Sequence, residues 1–430
     1  MAKDTKIGLR SQMIYQVFVR QYSETHNFDG VRVDLKRIKD LGADILYLLP
    51  IHPIGEVNRK GRIGSPYAIK NYREVNPDYG SLDDFIKLIN DCHALGLKVM
   101  IDVVFNHTAP DSYLAEKHPE WFFKDASGKI CGKNKDWWDI VDLDFNQKEL
   151  WDELIDTLCY WAKLGVDGYR CDVAPLLPLA FWLKARSELK RINPDFIMLA
   201  ESTDLNCIRW MRNDGYTILT DNECYEAFDI LYDYDIFYLY QNYLNGSGSL
   251  NAWLEAARQQ ESRYPVNYIK ARGLSNHDQE RAAKYIKGNK LFNLVALNSF
   301  FKGTTFIYAG DEAANTFKPD LFEIDLVDWK TLNQDGLSDL IKTMSEIKKH
   351  PLCASGAYDI FLEQTEIAHL EYWNKEEKLI GLFNLSNDNV ELELKIKDGK
   401  YPNLIDQKEV IIKNGKLVLK TNPVIINVTR

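Results

Sequence analysis

The chain has 430 residues, 45% hydrophobic and 27% charged, with a net charge of −10; this describes an ordinary globular protein and argues against nucleic acid as a partner. No stretch approaches the roughly 20 consecutive apolar residues of a membrane span, and Met1-Ala2-Lys3-Asp4-Thr5-Lys6 leads into no apolar leader segment. Seven cysteines stand singly without a CxxC pair, so free thiols in a reducing compartment are expected, which makes the protein cytoplasmic, with no membrane partner.

Taken in order, Ile14 to Arg20 reads as a strand. Val33 to Leu41 carries apolar residues at helical spacing and stops at Gly42. Ala43 to Pro50 is a nearly continuous apolar strand, as suits one covered on both faces. Ser81-Leu82-Asp83-Asp84 opens a helix with a capping-box pattern that runs to Leu95 and stops at Gly96. Lys98 to Phe105 follows as a third strand. Trp151 to Lys163 is a helix, and Val166 to Ala174 opens as a strand. Leu179 to Arg191 is helical and Phe196 to Ala200 is a strand. Ala227 to Leu231, Tyr268 to Ser275 and Thr304 to Ala309 supply three more strands. Eight strands alternating with helices predict an α/β fold, a (β/α)8 TIM barrel.

Two stretches break the rhythm. Residues 108–146 form a long irregular segment leaving the third strand, and such loops carry function more often than they act as spacers. Beyond about residue 350, Ala368 to Trp373, Leu379 to Asn384 and Val390 to Ile396 read as short antiparallel strands. The expected organisation is a barrel from 1–107 and 147–350, an inserted loop domain at 108–146 and a small C-terminal antiparallel β-domain at 351–430.

A TIM barrel places its active site at the C-terminal ends of the strands. There the sequence puts Asp102, Asn106 and His107 on strand three, Arg170 and Asp172 on strand four, Glu201 on strand five, and Asn276-His277-Asp278 on strand seven. Arg170 and Asp172 are two apart and point the same way on a strand. A structural ion pair at a strand end is the plain alternative, because buried charges must be paired or used. Cys/His/Asp spacing for zinc and a glycine-rich phosphate loop are both absent from the sequence. Several carboxylates and two histidines on one rim suit acid/base and nucleophilic chemistry, and a pair of carboxylates flanking one bond is what glycoside cleavage requires.

These segments, Asp102-Val103-Val104-Phe105-Asn106-His107, Gly168-Tyr169-Arg170-Cys171-Asp172, Glu201 and Asn276-His277-Asp278, resemble in order the motifs of the α-amylase family of glycoside hydrolases, family 13. Gly42 to Pro53 resembles that family's second-strand motif, and Ser65-Pro66-Tyr67 with Ile69-Lys70-Asn71-Tyr72 resembles the segment that supplies a tyrosine to the glycone side. The resemblance implies a retaining α-glucan hydrolase acting on maltodextrins or malto-oligosaccharides. Asp172 would be the nucleophile, Glu201 the general acid and then base, and Asp278 the holder of ring hydroxyls. Arg170 would keep Asp172 ionised, since a nearby cation lowers a carboxylate's pKa, and Leu199 would help to keep Glu201 protonated. His107 and His277 would bond ring hydroxyls and Tyr67 would stack on the sugar. Alternatives with the same residues are a glucanotransferase or glucosyl isomerase; from a different class, a non-catalytic sugar-binding or scaffold protein.

Plain readings accompany several of these residues. Asp102 is expected to orient the motif rather than touch sugar. His52 reads as a packing residue, most of Trp121, Trp137 and Trp138 as the loop's own core, and Cys171 as buried packing facing away from the site. Asp142 and Asp144 would close the loop back onto the barrel. The chain departs from the family pattern at Val173-Ala174-Pro175-Leu176, where many α-amylases carry a Lys-His pair. Oxygen ligands at the family's usual calcium positions are too few, so no metal ion and no cofactor is expected.

Overall fold

The computed structural model describes residues 4–363 and 365–430. Eight parallel strands close into a barrel: β1 (Met13–Val17), β2 (Ile45–Leu48), β3 (Lys98–Val103), β4 (Gly168–Cys171), β5 (Ile197–Ala200), β6 (Ile230–Tyr232), β7 (Lys270–Gly273) and β8 (Thr304–Tyr308), each paired with its neighbours in sequence and β8 returning to β1. Alternation along each strand divides the apolar residues into two layers. Ile14, Ile45, Tyr47, Met100, Leu199, Ile230 and Phe306 fill the barrel interior. Tyr15, Leu46, Ile101, Tyr169 and Ala200 face outward into the layer beneath the helices. Gly168 lies against β5: a Cβ there would come within 2.9 Å of the Ile197 carbonyl oxygen. The helices that matter below are α1 (Leu82–Ala94), α2 (Lys148–Lys163), α3 (Leu179–Ile192), α4 (Leu205–Asn213), α5 (Tyr234–Leu244), α6 (Leu250–Arg263), α7 (Gly288–Phe300) and α8 (Leu337–Lys348). The capping box at Ser81 is formed as the sequence predicts, with Ser81 and Asp84 bonding each other's backbone.

Three sequence expectations shift. The first strand ends at Val17, and Val19–Tyr22 is a helical turn that lets Arg20 donate to the carbonyls of Gly64 and Leu321. The expected helix from Val33 begins only at Leu35, after a separate short helix, Phe28–Arg32. The sixth strand is Ile230–Tyr232, because Asp229 just before it is spent on Arg186 and on the Met198 amide.

Between β3 and α2 the chain makes short helical turns. It returns through a two-residue ladder in which His107 pairs with Asp142 and Thr108 with Val141. The C-terminal four-stranded sheet, β9 (Ala357–Leu362), β10 (Ile367–Trp373), β11 (Glu377–Asn384) and β12 (Val424–Thr429), is antiparallel throughout. It packs on α7: Tyr372 Oη donates to the Phe300 carbonyl at 2.9 Å, and the Asn384 amide donates to Asn293 Oδ1 at 2.8 Å. Gly381 lies flat on the Phe300 ring, where a Cβ would come within 2.6 Å.

Candidate active site

Register builds the site. β3 and β4 pair Asp102 with Arg170, and both side chains point into the top of the barrel. Arg170, fully buried, donates from Nη1 to Asp102 Oδ1 at 2.9 Å and to Asp172 Oδ1 at 2.9 Å. Its Nη2 lies 2.6 Å from Glu201 Oε1, an ion pair off the hydrogen-bonding direction. One guanidinium is therefore ringed by three carboxylates from β3, the end of β4 and the end of β5. Asp102 also accepts from Tyr47 Oη (2.7 Å) and Tyr67 Oη (2.9 Å), which leaves it occupied with protein groups, as expected of an orienting residue.

The strand end after Asp172 is unusual. Val173 has φ 35° and ψ 42°, a left-handed conformation costly for a β-branched residue. The turn aims its amide at Glu201, donating to Oε2 at 2.9 Å. Backbone strain here is exchanged for a fixed carboxyl.

On the other side of the rim, Tyr67 stacks on His277 with centroids 5.3 Å apart and an interplanar angle of 16°. Tyr67 Oη meets His277 Nε2 at 2.5 Å, and the same nitrogen lies 3.1 Å from Asp278 Oδ2. With the Gln16 amide at 3.0 Å from Nδ1 as its donor, the ring carries its proton on Nε2, which donates to Tyr67 Oη. Asp278 itself reaches into the cleft, its side chain 44% exposed. The structure thus links Tyr67, Arg170, Asp172, Glu201, His277 and Asp278 into one contact network. His107 stands at the edge: its imidazole meets Asn106 Nδ2 (3.2 Å) and the ring of Trp137 (5.7 Å), and burial pushes its pKa down to about 4, so it is neutral.

Protonation of the central pair differs from the sequence expectation. Burial and the facing Glu201 carboxylate push the Asp172 carboxyl well above its ordinary range, although Arg170 pulls the other way. Arg170 lowers the Asp172 pKa, as the sequence predicts, but burial outweighs it. Burial also raises Glu201, with Arg170 opposing and Asp278 adding to the rise. Burial thus displaces both carboxyls upward, toward the protonated form. Asp278 is the opposite case. Desolvation would raise it, but His277, and then Arg170, hold it well below the usual carboxylate range. The rim therefore sets two carboxyls raised by burial beside one, Asp278, that is held low.

Gln16, Tyr47 and Tyr234 are the site residues that sequence reasoning missed. Each is an uncharged side chain on or just past a strand, with no motif signature. Tyr234 Oη accepts from Asn276 Nδ2 at 2.8 Å, and Asn276 Oδ1 in turn takes the amides of Asp278 and Gln279. Cys171 is buried and faces outward, as expected. His52 is buried and bonds the Glu74 carbonyl, a packing role. Trp121 belongs to the core and stacks on His118, and Trp137 packs with Ala68, Ala109 and Ile140. Trp138 departs from the core reading: it is 61% exposed, with Lys60 Nζ 4.4 Å from its ring centroid.

The calcium position of the resembled family does not suit an ion here. Asp142 Oδ1 lies 3.4 Å from the Asn106 amide, and Oδ2 accepts the Lys133 backbone amide at 3.0 Å with the Lys133 ammonium 3.9 Å away. The neighbouring buried Asp139 pairs with Lys60 Nζ at 2.9 Å, and the same ammonium donates to the Asp136 carbonyl. Lysine ammonium groups already neutralise these aspartates, and among the described residues no group of three or more His, Cys, Asp or Glu side chains is arranged to hold a metal ion. A chelator is expected to leave the thermal midpoint unchanged, whereas Lys60→Ala lowers it by a few degrees, the cost of leaving Asp139 unpaired. Differential scanning calorimetry with and without EDTA checks both; a drop with EDTA alone would overturn the lysine assignment.

Comparison with known proteins follows the same lines. The catalytic-domain model of alpha amylase matches residues 16–139 and 115–349, and that of the bacterial alpha amylase C-terminal domain matches 361–426. An alpha-amylase from Lactobacillus plantarum is similar over 98% of this chain and 100% of its own, at 43% identity and a TM-score of 0.95. A maltogenic alpha-amylase from Thermotoga neapolitana is similar over 98% of this chain and 100% of its own, at 30% identity and a TM-score of 0.88. Among curated proteins, an alpha-1,4-glucan:maltose-1-phosphate maltosyltransferase from Picrophilus torridus is 32% identical over 249 residues, 51% of this chain and 39% of its own length. One from Cereibacter sphaeroides is 37% identical over 212 residues, 44% of this chain and 36% of its own. The chain thus matches well under half the length of these curated relatives. No described helix is long and apolar enough to cross a membrane.

Proposed function

Because the chain belongs to the alpha-amylase family, we propose that it is a retaining hydrolase of α-glucosidic bonds in maltodextrins or malto-oligosaccharides, working in the cytoplasm by double displacement. The observation that carries this reading is the single guanidinium of Arg170 shared by Asp172 and Glu201. A shared cation draws both carboxyls to one guanidinium, and a retaining pair requires them close together, about 5 Å apart, rather than at the wider spacing of an inverting pair.

In the first step Asp172 attacks the anomeric carbon while Glu201 gives its proton to the departing glycosidic oxygen. Glu201 is left as a carboxylate, and Asp172 becomes esterified. In the second step the Glu201 carboxylate takes a proton from water, the water oxygen bonds the anomeric carbon, and the ester to Asp172 breaks with configuration retained. Asp278 and His277 hold ring hydroxyls, and Tyr67 packs against the sugar face. Seven unpaired cysteines support a reducing compartment.

A second reading, a glucanotransferase with the same residues, is favoured by the maltosyltransferase relatives. Product profiles separate the two: chains longer than the malto-oligosaccharide supplied mean transfer. Glu201→Gln tests the chemistry. Reducing-sugar release from malto-oligosaccharides is expected to fall by about 10³-fold. Reaction with α-glucosyl fluoride, whose leaving group needs no proton, is largely kept in its first step. Near-normal turnover of malto-oligosaccharides by this variant would sink the assignment.

A further inference from the structure

Two cations are buried on a barrel strand where apolar residues are the rule. Ala271 faces the barrel interior, so Lys270 and Arg272 on either side of it point outward from β7; they are 0% and 2% exposed. Both reach the turn that joins β6 to α5, Asp233-Tyr234-Asp235. Lys270 Nζ donates to Asp235 Oδ1 at 2.8 Å and to the Tyr232 carbonyl at 3.1 Å. Arg272 Nη1 donates to Asp233 Oδ2 at 2.6 Å. Gln260 on α6 ties the two halves together. It donates to Asp233 Oδ1 at 2.8 Å and Asp235 Oδ2 at 2.9 Å, and accepts from Arg272 Nη2 at 2.8 Å. The aspartates before and after Tyr234 are each gripped by one cation.

What this clamp holds is Tyr234. Its ring packs edge-on against Tyr232, whose own ring centroid lies 5.3 Å from the Arg170 guanidinium carbon. Its Oη accepts from Asn276 Nδ2 at 2.8 Å, and Asn276 Oδ1 takes the amides of Asp278 and Gln279 at 2.8 and 3.0 Å. Buried ion pairs are a weak source of stability, because desolvation offsets most of their attraction and well-packed apolar residues often serve as well. Their effect here is directional. Charge-assisted hydrogen bonds on both sides fix the path of the turn, and with it the place of one phenol oxygen.

We propose that Tyr234 is a positioning residue for Asp278, set in place by the clamp of Lys270 and Arg272 and acting through Asn276 on the loop that carries the aspartate. The inference rests on the hydrolase reading, in which Asp278 holds ring hydroxyls. It extends the working parts of the site to charged groups on the outer face of β7 that never meet the sugar.

The test is a pair of double-mutant cycles on α-maltosyl fluoride, a substrate reactive enough to give measurable rates in weakened variants. Tyr234→Phe removes only the oxygen that accepts from Asn276. It is expected to lower kcat about tenfold and to change KM less than about twofold, the pattern of an interaction made in the transition state. In an Asp278→Asn background the same change is expected to cost less than about twofold, because the residue it acts through is already disabled. Asp235→Asn leaves Lys270 paired with Asp221 and Arg272 with Asp233, so the cluster keeps its charge balance. It is expected to lower kcat several-fold in the wild type and not in Tyr234→Phe. Tyr225→Phe deletes a buried hydroxyl that donates to the Ile269 carbonyl and is the control, with kcat unchanged. Thermal midpoints confirm that each variant is folded. Wild-type kcat in Tyr234→Phe, equal losses from it in both Asp278 backgrounds, or an equal loss in Tyr225→Phe overturns the inference and leaves the hydrolase reading standing. A kcat untouched by Asp235→Asn overturns the clamp. Full turnover by Asp278→Asn overturns the inference and the reading together.

Discussion

Asp172→Asn is expected to lower kcat on malto-oligosaccharides by at least about four orders of magnitude, roughly 5.4 kcal/mol of barrier, and to raise the thermal midpoint at pH 7.5. The first effect follows from removing the atom that bonds the sugar. The second follows from linkage. The folded-state pKa of Asp172 is raised above its unfolded value, first by burial and then by Glu201. A raised carboxyl contributes stability that is fully present below the unfolded pKa and is lost as pH rises through the folded pKa. The amide never ionises, so the variant escapes that loss. The difference in midpoint should be near zero at pH 4 and open to a few degrees by pH 7.5. Calorimetry at the two pH values checks it. A wild type more stable than the variant at pH 7.5 would mean that Asp172 is held ionised at no cost.

Arg170→Ala carries the largest expected loss of stability. Its removal leaves Asp102, Asp172 and Glu201 facing one another without a cation, and breaking one side of a buried ionic cluster costs about 3–5 kcal/mol. Sign matters here too. The guanidinium lowers the pKa of both Asp172 and Glu201, so its loss raises them further, and the destabilisation grows with pH above the ordinary carboxylate range. Arg170→Lys keeps the charge but cannot reach carboxylates on both sides with separate nitrogens; it should recover much of the stability and little of the turnover. Denaturant melts at pH 4.5 and 8, with initial rates, separate these outcomes. A fully active Arg170→Lys would show that charge alone suffices and that the bracketed geometry does not matter.

Much of the barrel was legible because buried parallel strands write themselves as apolar runs, and Ile45–Leu48 or Lys98–Val103 need no context. Strands β6 and β7 were faint for a physical reason. They are three and four residues long, and Lys-Ala-Arg-Gly in β7 does not look like a strand. Lys270 and Arg272 are buried there only because Asp221, Asp235 and Asp233, distant in sequence, come to neutralise them. The charged members of the site were legible from the ends of their strands. Gln16, Tyr47 and Tyr234 were not, since their role exists only once the barrel closes and brings the end of β1 to His277, β2 to Asp102 and the start of α5 to Asn276. The left-handed Val173 was equally hidden: valine is the residue type least expected to announce such a turn.

The packing of α7 against the C-terminal sheet has a consequence for how the protein is made. Phe300 ends the helix that leads into β8, and its ring is covered by Gly381, Tyr372 and Phe383. All three leave the ribosome at least 70 residues later. At about 5–20 residues per second, a nascent barrel spends several seconds with every strand of its own in hand and that face uncovered. During this interval the chain offers a chaperone an apolar surface that the finished molecule does not have.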